Sequence, residues 1–362
     1  MNDVLMGKKA VLATGMNGIV LASNMGGDMD VVVKTTLPDE NTDSIRYEYF
    51  VNKQLNDLHE YVPNFPIAYN LITCPSKLKC DRLKRTYSHL QSSDENDPER
   101  DFFIQERIRG KTFYDFCTDG CSDEEWMAVV LQLLVAINFA QFKLNFTHYD
   151  LHSSNSIVSR IPSKTSIVFV LPLNDQATIY IPTLNNVPKI IDFGRAHIRH
   201  IGDQAMPGDV RKISDAIGRD YQAQICDSDQ CFLYRDGTDK LSMFKYSPIY
   251  DAVNVLRSGL HRFPGHVSSY PDLRKIRTNV MKWYGGSDPD NPSVPRTEDG
   301  PWKTTLDIIQ ELRGTVLYRR LVRKACESNP VLFPWKSQRT MSATAQQIAD
   351  KCLSPVQIQN QI

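Results

Sequence analysis

Eight consecutive residues, H-Y-D-L-H-S-S-N at 148–155, place a carboxylate, two imidazoles and a side-chain amide within one short stretch. Asp150 and Asn155 are close enough for one tight loop to direct a carboxylate towards a hydroxyl group and an amide oxygen towards a metal ion. Asp192, in the stretch D-F-G, follows the apolar run P-K-I-I and precedes a glycine that permits a sharp turn. Its carboxylate suits Mg²⁺, which prefers oxygen ligands and usually takes only one or two from a protein. These residue types would suit a hydroxyl group and a Mg²⁺ ion, although each motif taken separately would be unremarkable.

Two further features could hold a ligand that carries phosphate. The stretch A-T-G-M-N-G-I-V at 13–20 fits the pattern G-x-G-x-x-G-x-V, with alanine at the first glycine position. Gly15 and Gly18 would let backbone N–H groups approach phosphate oxygens, although glycines of an ordinary hairpin give the same pattern. Lys34 closes the apolar run V-V-V-K, where its charge is costly unless it meets an anion. That anion could be a phosphate or the carboxylate of Glu48.

The elements that position these residues follow from the apolar spacing. Residues 10–36 alternate β-rich segments with glycine turns, one of them at 26–28, which predicts a hairpin or three strands. Residues 44–58 have helical spacing, and 102–110 predict a buried strand that ends at a glycine. The charged stretch 91–101 is expected to be an exposed loop.

The second part of the chain is expected to be mainly helical. Ser122 and Glu125 form an S-x-x-E capping box, and the apolar stripe after them predicts a long helix that ends just before residue 148. Short strands are predicted at 156–159 and 188–191. Helices are predicted from about Asp251 and within the stretch T-L-D-I-I-Q-E-L-R.

Taken in order, the glycine turn, strand lysine, helix glutamate, H-x-D-L-x-x-x-N and D-F-G resemble the signature set of the protein-kinase superfamily. The resemblance covers roughly residues 10–260. It implies an α+β, bilobal protein-kinase-like fold with a small β-rich N-lobe at 1–109 and a larger, mainly helical C-lobe at 110–362. The C-lobe would carry an insertion at about 160–187 and a C-terminal helical extension.

The resemblance also implies a catalytic role for the polar residues of the octet. Asp150 would act as the catalytic base or orient the acceptor hydroxyl, and Asn155 and Asp192 would bind Mg²⁺. Lys34 would hold the α and β phosphates of ATP while paired with Glu48.

The same resemblance assigns the rest of a nucleotide site. Gly15, Gly18 and Val20 would cover the nucleotide, and Gln105 would occupy the gatekeeper position. The backbone groups of Glu106 and Ile108 would meet adenine. Asp251 is expected to be a buried aspartate that braces the catalytic loop.

Departures from the family pattern leave the phosphate acceptor open. His152 stands where Ser/Thr kinases usually place a lysine that neutralises the transferred phosphate, Tyr149 replaces the arginine of H-R-D, and no A-P-E follows D-F-G. The loop is similar to those of haspin-like kinases, small-molecule kinases of the aminoglycoside and choline types, and kinases of large DNA viruses. A Ser/Thr protein kinase with a protein substrate is the leading hypothesis. The alternatives are a small-molecule kinase and a nucleotide-binding pseudokinase scaffold.

Two residues or segments near the site have other interpretations. His148 is expected to be a structural histidine that hydrogen-bonds the loop, rather than a metal ligand or base. The apolar strands of the insertion are expected to extend the hairpin beneath the nucleotide, and a decorated loop without function is favoured over a substrate-docking role.

Composition excludes several other classes of protein. The chain has 362 residues, of which 41% are hydrophobic, so it can bury a large core. Its 42 basic and 42 acidic residues balance, which argues against nucleic acid or an anionic membrane as the main partner. The absence of a secretory signal and of a continuous apolar membrane span predicts an intracellular, cytoplasmic protein, in the host cell or virion if it is viral. The eight cysteines are scattered without a C-x-x-C pair, which predicts reduced thiols rather than a zinc site.

Overall fold

The computed structural model describes 10–15, 18–24, 30–35, 43–74, 100–161, 167–172, 178–199, 246, 248–262, 270–283, 302–327 and 331–334. The predicted turn at 26–28 and most of the predicted loop at 91–101 lie outside these residues. Among the cysteines, Cys117 and Cys121 are described as free thiols, in agreement with the prediction for these two.

Five strands near the N-terminus form one sheet with the order β1-β2-β3-β5-β4. Their bounds are β1 Ala10–Gly15, β2 Gly18–Asn24, β3 Asp30–Thr35, β4 Ala68–Cys74 and β5 Arg100–Glu106. All four neighbouring pairs are antiparallel. Two separate apolar clusters are buried against this sheet, and one of them includes Ile45 of the helix that follows β3.

Helix α1, Asp43–Leu55, lies between β3 and β4 and passes into a 3₁₀ helix, Asn56–Glu60. The predicted helix at 44–58 is therefore confirmed but tightens at its end. The Asn56 side chain explains the change: its Nδ2 donates to the Ala68 carbonyl at 2.8 Å, and its Oδ1 accepts the Ala68 N–H at 2.9 Å. These bonds turn the chain towards β4.

The centre of the larger apolar core is a single helix. After the short strand β6, Lys111–Thr112, and helix α2, Phe113–Thr118, the chain forms α3, Asp123–Leu144, which is buried along most of its length. The predicted capping box is present, since Ser122 Oγ accepts the Glu125 N–H at 3.2 Å and Glu125 Oε2 accepts the Ser122 N–H at 2.9 Å. Asn145 ends the helix with a left-handed backbone.

Two small sheets and three of the four remaining described helices pack against α3, and the fourth packs against one of these helices. One sheet has the order β10-β7-β6 and the other β11-β8-β9. The bounds are β7 Ser156–Arg160, β8 Ile167–Pro172, β9 Thr178–Pro182, β10 Asn186–Ile190, β11 Val331–Pro334, α4 Tyr250–Arg262, α5 Pro271–Trp283, α6 Thr305–Arg313 and α7 Val316–Glu327.

The insertion between β7 and β10 corrects one prediction. Its two strands do not extend the β7–β10 hairpin: β8 pairs with β9 on one side and, in parallel, with the distant strand β11 on the other. The apolar side chains of Phe169, Ile179 and Ile181 then join the main core. Burial of these side chains, rather than the local hairpin, decides where the insertion packs.

The architecture is mixed α+β, with a sheet-rich N-terminal region followed by helices, as predicted. Among the described helices, α3 is the one long and apolar enough to cross a membrane by length and composition. Because 83% of its most apolar window is buried inside the protein, α3 is typical of a core helix.

Candidate active site

The N-terminal sheet brings the predicted phosphate-binding residues into register. Gly15 ends β1 and pairs with Gly18 at the start of β2. Val20 on β2 is the cross-strand neighbour of Lys34 on β3. A glycine turn and a strand lysine that are separated by sixteen residues in the sequence therefore lie on adjacent strands.

Lys34 and Glu48 form the ion pair predicted from the sequence. Lys34 Nζ donates to Glu48 Oε1, and both side chains are largely buried, with 12% and 6% of their surface exposed. Burial disfavours the charge of Lys34, but the carboxylates of Glu48 and Asp192 outweigh burial and raise the pKa of the lysine. Helix α1 thus holds a charged ammonium group at the end of an apolar strand.

Buried polar groups hold the loop at 148–155 in place. Asp251, near the start of α4, accepts the His148 N–H at 2.6 Å and the Tyr149 N–H at 3.0 Å, which confirms the predicted brace. His148 Nδ1 accepts the Asp150 N–H at 3.3 Å and Nε2 lies 3.0 Å from the Ile191 carbonyl oxygen, so the ring donates through Nε2. The histidine is therefore structural, as predicted.

Both groups that hold the loop have displaced pKa values because they are buried. Desolvation lowers the pKa of His148 to about 4, so the imidazole is neutral at physiological pH. Desolvation raises the pKa of Asp251 to about 7, although the two backbone N–H groups that it accepts oppose this.

Asp150, Asn155 and His152 make further contacts within the loop. Asn155 Nδ2 donates to the Asp150 carbonyl at 2.9 Å and lies 3.4 Å from Asp150 Oδ2. His152 is exposed, and its Nδ1 accepts the Ser154 N–H at 3.2 Å. Tyr149 adopts φ 61°, a left-handed backbone that is uncommon for an aromatic residue and is typical of functional loops.

Asp192 lies beside this loop because β10 pairs with β7. The Ile191 N–H donates to the Asn155 carbonyl at 3.0 Å, which places Asp192 one residue beyond that contact. Asp192 also has a left-handed backbone, with φ 68°. Burial would raise the pKa of the Asp192 carboxyl, but the nearby positive charges of Lys34 and Arg195 lower it. The Asp192 residue itself is exposed at the surface.

Phe193 anchors the segment that carries Asp192. Its ring is buried, with its centroid 5.5 Å from that of His148, 6.2 Å from Phe65 and 6.3 Å from Phe146. Two residues after Gly194, the Ala196 carbonyl accepts a hydrogen bond from Tyr47 Oη, which connects the segment to α1. Asp192 is thus placed by apolar packing on one side and by α1 on the other.

Arg195 is a charged residue of the site that the sequence analysis missed. Its Nη1 lies 3.2 Å from Asp150 Oδ1, and the guanidinium side chain is 33% exposed. Burial raises the pKa of Asp150, Arg195 and His152 oppose the rise, and Asp192 adds to it. The available signal was the position of Arg195 directly after D-F-G, but its contact with Asp150 depends on the fold. We call Lys34, Glu48, Asp150, Asp192 and Arg195 the charged cluster.

The residues assigned to adenine lie at and after the end of β5. Gln105 is buried, and its Oε1 has no hydrogen-bond partner among the described residues. The Glu106 side chain accepts two hydrogen bonds of 2.7 Å from Lys189 and one of 3.1 Å from the Ile67 N–H. Ile108 follows in a half-buried segment without regular structure. The Lys189–Glu106 ion pair, which joins β10 to β5, was not predicted.

A divalent cation would find few but suitable ligands in this arrangement. In the part of the chain that the structure describes, no group of three or more His, Cys, Asp or Glu side chains could hold a metal ion. Mg²⁺ does not require such a group, since one or two protein oxygens and phosphate oxygens commonly complete its shell. The Asn155 amide fits this role, because its nitrogen is engaged by the Asp150 carbonyl and its oxygen is the group that remains for a ligand.

The chain is similar to uncharacterized proteins of invertebrate iridescent viruses. No family model matches. The chain is 24% identical over 184 residues to uncharacterized protein 098R of Invertebrate iridescent virus 6, covering 41% of this chain and 30% of the relative. Uncharacterized protein 038R of Invertebrate iridescent virus 3 is 26% identical over 181 residues, covering 46% and 30%. Uncharacterized protein 179R of Invertebrate iridescent virus 6 is 26% identical over 166 residues, covering 43% and 14%. The match therefore spans less than a third of each relative.

Proposed function

We propose that the protein is a divergent kinase that transfers the γ-phosphate of Mg·ATP to a hydroxyl group, with a serine or threonine of a protein as the acceptor. One observation carries the proposal: Lys34, paired with Glu48, lies near Asp192, and Asp192 lies beside the Asp150–Asn155 loop. The five residues come from four separate parts of the chain. Their convergence fits the roles that the resemblance to protein kinases implies.

Each of these side chains would have a different chemical role in transfer. Lys34 supplies a fixed positive charge for the α and β phosphates, and Glu48 orients it. Asn155 and Asp192 would hold Mg²⁺, which when bound neutralises phosphate charge. Asp150 accepts a hydrogen bond from the acceptor hydroxyl and takes its proton; its environment raises the pKa of the carboxyl, which favours proton transfer to it.

Adenine would lie against the end of β5. Gln105 Oε1 is a buried acceptor without a hydrogen-bond partner among the described residues. After a small shift of this side chain, the amino group of adenine could donate to it. The backbone groups of Glu106 and Ile108 would complete recognition of the base, and Gly15, Gly18 and Val20 would cover the phosphates. Because the relatives are encoded by viruses, we propose that the protein acts in the cytoplasm of a host cell or in the virion.

Transfer of labelled γ-phosphate tests this proposal. Purified wild-type protein, Asp150→Asn and the exposed control Asp119→Asn are incubated with ATP and Mg²⁺, together with protein acceptors and a panel of small alcohols. We expect label on protein in the wild type and the control, and a loss of about 10²- to 10⁴-fold in Asp150→Asn. Label on a small alcohol alone would identify a small-molecule kinase. Nucleotide binding without any transfer would instead favour a scaffold.

A further inference from the structure

The charged cluster needs a cation that can meet the transferred phosphate. Lys34 is already matched by Glu48, and Asp150 and Asp192 contribute two further negative charges. A phosphoryl group that approaches these two carboxylates would be repelled unless a positive group lies beside it. Mg²⁺ at Asp192 would offset part of this charge but not the carboxylate of Asp150.

His152 is poorly placed to supply the missing charge. It is exposed to solvent, and its Nδ1 accepts the Ser154 N–H, so only Nε2 is left to meet a phosphate. An exposed imidazole is also screened by water and salt.

Arg195 has the position that His152 lacks. It stands on the segment that carries Asp192, its Nη1 lies 3.2 Å from Asp150 Oδ1, and its charge favours the ionised forms of both carboxylates. A third of its side-chain surface is exposed, so a ligand in solution can reach the guanidinium. Its five N–H donors lie in one plane and point outward in several directions. One guanidinium can therefore bind a carboxylate and phosphate oxygens at the same time.

We propose that Arg195 is a catalytic residue that binds the γ-phosphoryl oxygens during transfer and supplies the charge for which His152 is poorly placed. The inference rests on the proposed function. In the step, the acceptor oxygen forms a bond to the γ-phosphorus while the bond from that phosphorus to the β,γ-bridging oxygen breaks. The hydroxyl proton passes to Asp150 and then to water, and ADP leaves with the bonding electron pair. Arg195 neutralises charge on the three non-bridging oxygens and keeps the Asp150 carboxylate aligned.

Steady-state phosphate transfer by Arg195→Ala, Arg195→Lys and the matched control Arg199→Ala tests this role. Arg199 lies on the same segment, is exposed, and does not belong to the charged cluster. We expect Arg195→Ala to lower kcat by about 10²-fold or more with little change in KM for ATP, because the contact strengthens as charge develops. Arg195→Lys should recover part of kcat, added guanidinium should partly rescue Arg195→Ala, and Arg199→Ala should match the wild type.

A second readout does not depend on turnover. ADP with fluoroaluminate mimics the planar phosphoryl group in the transition state of transfer. The wild type should therefore gain more thermal stability from this mixture than from ADP alone. Arg195→Ala should lose the additional gain and keep the gain from ADP, and this retained gain also shows that the variant is folded.

The outcomes separate this inference from the proposed function. Unchanged kcat and unchanged fluoroaluminate stabilisation in Arg195→Ala would overturn the role of Arg195 while leaving the kinase proposal intact. A higher kcat in Arg195→Ala would also overturn it, since Arg195 would then be a latch on Asp150. Absence of transfer in the wild type would reject the proposed function, and the role of Arg195 would fall with it.

Discussion

Loop 148–155 and segment 192–196 lie side by side but are held in place by different forces. Backbone hydrogen bonds join them on either side of the site, from the Ile191 N–H to the Asn155 carbonyl and across the bridge between Thr147 and His197. Between these points the loop depends on buried polar groups. The segment depends on the packed ring of Phe193 and on the Tyr47 hydroxyl of α1.

Because of this difference, the carboxylates of Asp150 and Asp192 should respond to different changes in the protein. Asp150 is carried by a loop whose supports, His148 and Asp251, are ionisable and buried. Asp192 is carried by a segment whose supports do not titrate near neutral pH. Changes in the protonation or hydrogen bonding of His148 and Asp251 should therefore act mainly on Asp150, and changes in α1 mainly on Asp192.

The largest expected effect is removal of the polar support beneath the loop. Asp251→Ala leaves the N–H groups of His148 and Tyr149 buried without an acceptor and opens a cavity, which should lower the free energy of unfolding by about 4 kcal/mol. Urea unfolding measures the loss. The exposed Asp119→Ala variant should stay within about 0.5 kcal/mol of the wild type, because its ion pair with Lys111 is solvated. Equal midpoints for both variants would show that Asp251 does not brace the loop.

The next effect is a dependence of stability on pH that comes from the two buried supports of the loop, Asp251 and His148. The pKa of Asp251 is raised to about 7 on folding, so its contribution to stability is fully present below the ordinary range near 3.8 and is lost as pH rises towards 7. The pKa of His148 is lowered to about 4, so its contribution is lost as pH falls from 6.5 towards 4. Between pH 4 and 6.5 the two contributions change in opposite directions.

Asp251→Asn removes one of these opposed contributions. The wild-type advantage over Asp251→Asn in free energy of unfolding should shrink by up to about 1.4 kcal/mol per pH unit between pH 4 and 6.5. Urea unfolding at pH 4.5, 5.5 and 6.5 measures this difference, in which groups common to both proteins cancel. Tyr47→Phe should show no such trend. A difference that is constant with pH would mean that Asp251 keeps an ordinary pKa.

A smaller effect on catalysis is expected from the α1 side of the site. Glu48→Gln removes the charge that orients Lys34 and leaves the buried ammonium attracted to Asp192, so the lysine should move away from its phosphate-binding position. We expect kcat/KM for ATP to fall by about 10²-fold, the usual scale for a misplacement of about 1 Å. Steady-state transfer measures the loss, with the exposed Glu60→Gln as control. Retained activity would mean that Lys34 does not need Glu48.

Local sequence signals predicted the parts of the site that depend on one element or on neighbouring elements. The Ser122–Glu125 capping box and the long helix after it follow from side-chain chemistry within a few residues. The Lys34–Glu48 pair was predicted because a charge at the end of an apolar strand requires an anion, and α1 is the next element in the chain.

Contacts between distant segments were not predicted from local signals. Arg195 meets Asp150 only because β10 pairs with β7, and that register cannot be read from either stretch alone. The Lys189–Glu106 pair likewise requires the end of β5 to lie against β10. The insertion was assigned to the wrong sheet because its partner, β11, begins more than a hundred and fifty residues after β8.

The smallest expected effect isolates the tether between α1 and the segment. Tyr47→Phe removes the hydroxyl that donates to the Ala196 carbonyl and leaves that carbonyl without this donor, which should cost about 1 kcal/mol of stability. Because Phe193 still packs in the core, the segment should stay in place and kcat should fall only a few-fold. Tyr49→Phe on the same helix is the control, since its ring packs edge-on against Phe103 at 5.5 Å and no bond of its hydroxyl appears among the described contacts. A loss of kcat as large as that of Glu48→Gln would show instead that the tyrosine tether, rather than Phe193, sets the position of Asp192.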